Sequence, residues 1–290
     1  MADSFDDRDG SLWLDGRFVP WREATLHVLT HALHYGGAVF EGERAYGGVI
    51  FKSVQHSERL FRSAEYMDYE IPYNLRDIEA AKAEVIRRNE FSDAYVRVIA
   101  WRGSQTMGVS GLPNNTHVAV TAYPWGTYYG EARKVGATLD IARWKRPSPD
   151  TLPCLAKTSG AYMICTLAKN EADRKGYTDA LMFDYRGYVA ESTGANIFFV
   201  QDGEVHTPTP DCFLNGITRN TVLDILARDK VTVHERHIEP GELETFQQCF
   251  LTGTAAEVTP VRSIGDYNFE IGALVRGVSD EYDRIVRGNR

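Results

Sequence analysis

One lysine stands out in the stretch LAKTSGAY, residues 155–162. Lys157 has small and apolar neighbours, and no carboxylate lies beside it in the sequence. Burying an ammonium group is costly unless the group is paired or loses its proton, and partial burial yields the neutral amine that forms Schiff bases. Lys157 is therefore a candidate nucleophile. The alternative is an ordinary lysine at a loop edge, with its head group in water.

The other seven lysines have settings that predict no chemistry. Lys82, Lys169 and Lys175 lie in helical patterns among Glu and Arg, which predicts a solvated helix face. Four more lie at strand or helix ends beside other charges: Lys52, Lys134, Lys145 and Lys230. Tyr162, five residues after Lys157, begins a predicted helix and could present its phenol to the same site.

Three further stretches could bind parts of a charged ligand. In VAESTGANIFF, Glu191 ends a predicted strand, although a solvated loop carboxylate is the alternative. In LNGITR, Gly216–Thr218 opens a predicted helix, and free amides at a helix N-terminus bind phosphate. In LTGTAAEV, a strand breaks at Gly253–Ala256, where turn amides could bind an anion. Each signal is weak when taken alone.

A possible metal site lies in HVLTHALHYGG, where His27, His31 and His34 have i, i+4, i+7 spacing. One helical face could then present three imidazoles. The segment lacks a carboxylate ligand or a general base arranged as in HExxH, so structural histidines are the favoured interpretation.

The first half of the chain alternates strands with helices. Turns at Asp15-Gly16 and Gly47-Gly48 predict hairpins around them. Apolar periodicity predicts strands at 38–46, 94–103 and 117–125, and helices at 56–70 and 75–91. Together these elements predict a small domain over residues 1–123.

Residues 124–134 contain Pro, Gly and exposed aromatics, which predicts an interdomain loop. The second domain, 135–290, begins with strands at 136–144 and a helix at 160–175. A meander with an Asp202-Gly203 turn follows, then a helix from Gly216 to Arg228, strands to about 265 and a terminal helix.

Composition points to a protein that acts on small molecules. Apolar content is 43%, charged content is 25%, and a net charge of -8 argues against a nucleic-acid or anionic-membrane partner. No apolar run reaches bilayer length, and the acidic stretch MADSFDDRDG is neither a secretory signal nor a transit peptide. The four widely spaced cysteines are Cys154, Cys165, Cys212 and Cys249, and they predict reduced thiols in a cytoplasm.

Together, a Schiff-base lysine, a carboxylate for a ring nitrogen and a phosphate cradle are what pyridoxal 5′-phosphate requires. The chain resembles the branched-chain amino acid aminotransferases, which are fold-type IV enzymes. The resemblance runs from LWLDGRFV to TPVRS, and its motifs are HALHYGGAVFEGERAY, HSERL, AYVRVIAWRG, MGV, LAKTSGAY, YVAESTGANIFF, NGITR and GTAAEVTPVRS. It implies an α+β or α/β two-domain fold like that of D-amino acid aminotransferase. The small N-terminal domain is an α/β sandwich and the larger C-terminal domain is a pseudo-barrel.

The resemblance also implies the cofactor contacts. Lys157 bonds the cofactor and moves the substrate α-proton, Glu191 keeps the pyridine nitrogen protonated, and Tyr162 hydrogen-bonds the ring hydroxyl oxygen. The phosphate is held by a set of cationic, amide and hydroxyl groups: Arg59, the turn at Gly216 with the amides of Ile217 and Thr218, and the Thr254 hydroxyl.

The implied substrate pocket draws on strand faces, since alternate residues share one face. Phe40, Gly42 and Arg44 share one face of their strand, and Tyr95 and Arg97 share one face of another strand. The remaining pocket residues are Tyr35, Met107, Gly108, Val109, Tyr129 and the amides of Thr254 and Ala255. Ordinary core packing is the alternative for Tyr35, Phe40 and Tyr129. Glu43 and Ser104-Gln105-Thr106 depart from the family pattern, although alternation points Glu43 away from Phe40.

The implied activity is transfer of the amino group of leucine, isoleucine or valine to 2-oxoglutarate. Two alternatives share the fold: a transaminase of (R)-amines or D-amino acids, and an aminodeoxychorismate lyase. A non-catalytic cofactor carrier is a third. The resemblance further implies a homodimer in which the MGV loop completes the partner's pocket, with a hexamer left open.

Overall fold

The computed structural model describes residues 4–126 and 128–288, and the chain divides into two compact units. Unit 1 comprises Met1–Gly126 and Ala156–Gly160, and unit 2 comprises Thr127–Leu155 and Ala161–Arg290. Lys157 therefore belongs to unit 1, although the residues flanking its segment belong to unit 2. None of the helices in the described ranges is both long and apolar enough to cross a membrane.

Unit 1 is an antiparallel six-stranded sheet with helices packed against one face. Its elements are β1 (Ser11–Leu14), β2 (Arg17–Pro20), α1 (His31–Tyr35), β3 (Val39–Tyr46), β4 (Val49–Ile50), α2 (Ser53–Tyr66), α3 (Leu75–Arg88), β5 (Ala94–Arg102) and β6 (Thr116–Pro124). The strand order is β2-β1-β6-β5-β3-β4. Leu60 and Ile78 of the helices pack with Val96 and Val120 of the sheet in one apolar core.

Local sequence explains the turns and the helix start of unit 1. Asp15 and Gly16 have φ of 47° and 87°, and Gly47 and Gly48 have 57° and 79°, as tight hairpin turns require. Both predicted hairpins are confirmed. Asn74 caps α3, because its side chain accepts from the amide of Asp77, whose carboxylate accepts from the amide of Asn74.

Unit 2 contains a closed ring of strands. Its elements are α4 (Ala132–Val135), β7 (Ala137–Ile141), α5 (Met163–Arg174), β8 (Asp179–Phe183), β9 (Val189–Ser192), β10 (Asn196–Gln201), β11 (Glu204–Pro208), α6 (Ile217–Arg228), β12 (Val233–Arg236), β13 (Gln248–Gly253), β14 (Glu257–Ile264), β15 (Tyr267–Asn268) and α7 (Ala273–Val286). The order β10-β13-β14-β7-β8-β9 closes because β9 also pairs with β10. This closure confirms the predicted pseudo-barrel.

Several element boundaries differ from the prediction, among them the end of α3, which is Arg88 rather than residue 91. The strand predicted over 136–144 ends at Ile141. The helix predicted from residue 160 begins at Met163, because Ser159–Tyr162 forms a 3₁₀ turn first. Helix α2 lies earlier than predicted, at Ser53–Tyr66 rather than 56–70, and a turn with Asp68 at φ 57° follows it.

Candidate functional site

Lys157 lies on the edge of β3 in unit 1. Its carbonyl accepts from the Phe40 amide at 3.0 Å, its amide donates to Ser63 Oγ at 3.0 Å, and Thr158 forms a bridge with Val39. The Lys157 ammonium lies 4.9 Å from the centroid of the Phe40 ring. Burial lowers the pKa of Lys157 to about 8, and the nearby Arg59 acts in the same direction while Glu41 opposes it. A lysine so placed has a substantial neutral fraction at neutral pH.

The predicted pocket residues of β3 and β5 do share one face of the sheet. Arg44 pairs in register with Tyr95, and Gly42 pairs with Arg97. The Arg97 guanidinium lies 4.7 Å from the centroid of the Phe40 ring and 5.2 Å from that of Tyr95. We call this surface, with Lys157, the site face.

The space beside Gly42 on the site face is occupied. A Cβ on Gly42 would lie 1.8 Å from the Tyr95 hydroxyl oxygen, so the missing side chain makes room for that phenol. The resemblance placed Gly42 among the residues of the substrate pocket. In the structure its immediate effect is to let Tyr95 lie across β3.

The opposite face of β3, which we call the helix face, carries two fully buried carboxylates. Glu41 binds Arg59 through two hydrogen bonds, from Nε at 2.6 Å and from Nη2 at 2.8 Å. His56 Nδ1 lies 2.7 Å from Glu41 Oε2. Burial alone would raise the pKa of Glu41, but Arg59 and His56 together hold it well below its usual range. The prediction singled out Arg59 but neither Glu41 nor His56.

The prediction of a solvated face for Lys82 is wrong. Lys82 is fully buried, and its ammonium lies 2.9 Å from Glu43 and 2.7 Å from Glu79. It also donates to Ser57 Oγ at 2.8 Å and to the Ser53 carbonyl at 3.0 Å. Glu43 points away from Phe40, as alternation predicted. A buried lysine and a buried glutamate satisfy each other here.

The loop Met107–Val109 and helix α1 meet elsewhere in unit 1. His31 Nε2 lies 3.0 Å from the Gly108 carbonyl oxygen, and the His31 ring is 4.5 Å from that of Tyr35. Met107, Val109 and Tyr35 are exposed. The three histidines do not form one helical face, because α1 begins at His31 and so excludes His27.

In unit 2, Glu191 is held by two residues that the sequence did not single out. Arg146 Nε lies 3.3 Å from Glu191 Oε1, and Asn196 Nδ2 donates to Oε2 at 3.2 Å. The same Asn196 accepts from the Gly216 amide at 3.1 Å. Asn196 therefore links the carboxylate to the predicted phosphate turn. No local motif marks Arg146, which lies 45 residues before its partner.

The two predicted anion-binding turns also lie in unit 2. Gly216 immediately precedes α6, so the amides of Ile217 and Thr218 open that helix without partners in the preceding turn. A Cβ on Gly216 would lie 2.3 Å from Asn196 Oδ1, so only glycine fits. Thr254 and Ala255 form the turn between β13 and β14, as predicted.

Tyr129 and Tyr162 lie in different surroundings within unit 2. The Tyr129 hydroxyl donates to Asp179, which also accepts from Thr193 Oγ1. Burial and the Asp179 charge raise the pKa of Tyr129 well above its usual value. Tyr162 precedes α5 and packs against the cluster that contains Cys165.

Comparison with known proteins shows which family shares this arrangement. Residues 38–264 match the family described as amino-transferase class IV. The branched-chain-amino-acid aminotransferase of Pseudomonas aeruginosa is 43% identical over 279 residues, 94% of this chain and 90% of that protein. A probable branched-chain-amino-acid aminotransferase of Rickettsia bellii is 40% identical and covers 96% of each chain.

Solved structures agree. The T.th. branched-chain amino acid aminotransferase with pyridoxamine 5′-phosphate superposes with a TM-score of 0.94 at 40% identity, over 98% of this chain and 96% of that one. The fold-type IV architecture is therefore shown, and this chain belongs to the class IV aminotransferase family.

Proposed function

We propose that this enzyme transfers the amino group of branched-chain L-amino acids to 2-oxoglutarate, with pyridoxal 5′-phosphate as its cofactor. The products are branched 2-oxo acids and L-glutamate. The observation that carries the proposal is Lys157, a lysine with a lowered pKa placed against Phe40 and near Arg97 in a class IV chain. The names of the Pseudomonas aeruginosa relative and of the T.th. structure support the same activity.

The donor groups present fit this cofactor. Lys157 offers an amine whose pKa is lowered to about 8. Glu191 offers a buried carboxylate that is oriented by Arg146 and Asn196. The amides of Ile217 and Thr218 open α6 without partners in the preceding turn, so they can bind a phosphate. When bound, the cofactor supplies an aldehyde that bonds amines and a ring that accepts electrons from the substrate α-carbon.

Each cofactor-binding residue then has one task. Lys157 holds the cofactor and, once released by substrate, carries the α-proton on Nζ. Glu191 keeps the ring nitrogen protonated, and Tyr162 donates to the ring hydroxyl oxygen. Arg59, the amides of Ile217 and Thr218 and the Thr254 hydroxyl bind the phosphate, with Arg59 fixed by Glu41.

One pocket must accept both an apolar side chain and a second carboxylate. Phe40 and Tyr95 supply an apolar wall for leucine, while Arg97 pairs with the distal carboxylate of glutamate. An unpaired carboxylate against the wall alone would be costly. The turn amides of Thr254 and Ala255 bind the α-carboxylate.

We further propose a cytoplasmic homodimer. The exposed Met107 and Val109 support this, because apolar side chains on a loop favour a protein contact. Sedimentation of an active monomer would contradict the dimer.

The test is a substrate panel with 2-oxoglutarate as acceptor, together with borohydride reduction of the purified enzyme. We expect L-leucine, L-isoleucine and L-valine to react and D-amino acids and (R)-amines to fail. Reduction should fix the cofactor on the peptide that contains Lys157. Preferred turnover of D-amino acids or (R)-amines would favour the alternative transaminase of the same fold.

A further inference from the structure

A short segment, Ser4–Asp9, lies against the aromatic end of the site face in unit 1, and we call it the strap. The Trp21 indole donates from Nε1 to the Phe5 carbonyl at 2.6 Å. Arg22 pairs with Asp7 at 2.5 Å and with Asp9 at 2.9 Å. The strap is therefore fixed to the turn after β2 by three polar contacts.

The strap contacts Tyr123 of β6. The Phe5 ring meets the Tyr123 ring edge to face at 4.9 Å between centroids. The Arg8 guanidinium lies 3.9 Å from the centroid of Phe5 and 5.6 Å from that of Tyr123. Such contacts between cations and aromatic rings hold side chains in place.

Tyr123 in turn contacts both predicted substrate residues of β5. Its ring stacks on Tyr95 at 5.7 Å, and the Arg97 guanidinium lies 5.2 Å from the centroid of the same Tyr95 ring. Burial raises the pKa of Tyr123, while Arg97 and Arg8 oppose that shift. Contacts therefore run without a gap from the strap through Tyr123 to Arg97.

The charges on this surface indicate an anionic ligand. Within the described ranges, no hydrogen-bond partner reaches the buried Nε atoms of Arg8 and Arg44 or the buried Thr121 hydroxyl. Thr121 pairs in register with Arg97. Buried polar groups are normally satisfied, so unpaired donors on Arg44 and Thr121 of the site face and on Arg8 of the strap favour a bound group.

We propose that the strap is a specificity element of this enzyme. Phe5 and Arg8 act as positioning residues that hold Tyr123, and Tyr123 holds Arg97 towards the distal carboxylate of a dicarboxylic substrate. The inference rests on the role proposed above for Arg97. It adds that selectivity for glutamate and 2-oxoglutarate over an apolar substrate depends on a segment outside β3 and β5, the strands that carry the predicted pocket residues.

The experiment measures the two half-reactions separately by stopped-flow absorbance, with Phe5→Ala and Arg8→Ala. We expect the glutamate half-reaction to lose about five- to tenfold in kcat/KM, mostly through KM, because one desolvated contact of this kind is lost. The leucine half-reaction should stay within about twofold. Arg88→Ala is the matched control, since Arg88 makes the same kind of contact with Phe18 elsewhere in unit 1, at 3.8 Å.

Tyr123→Phe separates positioning from general support. In that background Arg8→Ala should add little, because both changes act on Arg97 through Tyr123. Equal losses in both half-reactions, or additive effects in the double variant, would overturn the proposal. Arg97→Ala separates the two inferences. If Arg97→Ala impairs mainly the glutamate half-reaction but the strap variants do not, the strap proposal is wrong. If Arg97→Ala impairs both half-reactions equally, the proposed role of Arg97 is wrong.

Discussion

The two faces of β3 carry charge in opposite ways. On the helix face, Glu41 and Glu43 are fully buried, and each is matched by cationic or hydrogen-bonding partners from α2 and α3. On the site face, Arg44 and Arg97 lie among aromatic rings, and no carboxylate of the described residues forms an ion pair with either. A folded protein tolerates buried charge that it balances itself. The difference indicates that the helix face is built for stability and that the site face is completed by an anionic ligand.

The largest effect should come from the lysine of the site face. Lys157→Ala should reduce turnover by about 10²–10⁴-fold, since a positioned acid–base group contributes that much. Steady-state assays of the reconstituted variant measure it. Lys82, the buried lysine of the helix face, is the internal control and should not be labelled by cofactor and borohydride. Labelling of Lys82 in the wild-type enzyme would contradict the prediction that only the site face binds the cofactor.

Substitutions on the helix face should lower the stability of the fold rather than the catalytic rate. Burial raises the pKa of Glu43 to about 8 even beside Lys82. In Lys82→Met the carboxyl should therefore hold a proton and stay buried without its main partner, which should cost about 1–3 kcal/mol in unfolding free energy. Denaturant titration measures this cost. Lys82→Met combined with Glu43→Leu should recover most of it, because an apolar pair of similar volume removes the unsatisfied buried carboxyl. A double variant as unstable as the single one would contradict this account.

Arg97→Ala should separate the two half-reactions while leaving stability nearly unchanged. The glutamate half-reaction should lose about 1.5–3 kcal/mol in transition-state stabilisation, the scale of one charge-assisted hydrogen bond. The leucine half-reaction should change less. Stopped-flow traces of the cofactor bands report both. Equal losses would make Arg97 a structural support, and Arg44 would be the next residue to test.

The smallest effect is a shift in the pKa of Lys157, which both faces influence. Burial lowers this pKa, Arg59 and Arg97 lower it further, and Glu41 raises it. Arg97→Ala should therefore raise the pKa above about 8 and decrease the neutral fraction at pH 7.5, whereas Glu41→Gln should do the reverse. Competitive acylation of the apo-enzyme across pH, read by mass spectrometry, follows the amine. Shifts of the same sign in both variants would contradict the proposed charge balance.

Local signals in the sequence predicted most elements. The hairpins at Asp15-Gly16 and Gly47-Gly48 are confirmed because two residues suffice to set such turns. Strand alternation correctly put Phe40 and Glu43 on opposite faces of β3. These features depend on residues that are close in sequence.

Partners distant in sequence were missed. Lys82 was predicted to be solvated because its neighbours are helical and polar, but Glu43, 39 residues away, pairs with it in the core. The pairing of Arg146 with Glu191 and the contact of the strap with Tyr123 were missed for the same reason. The roles of the site residues remain predictions, because they concern bound molecules rather than the folded chain.

The segment that carries Lys157 affects when unit 1 can be completed during translation. Unit 1 takes its last segment, Ala156–Gly160, from beyond the first part of unit 2, and that segment bonds Phe40 and Gly36. A ribosome must therefore release more than thirty residues after Gly126 before the edge of β3 is complete. A nascent chain that stops earlier lacks the Lys157 amine as well as the edge contact. The proposed cofactor lysine is therefore synthesised together with the segment that completes the edge of β3.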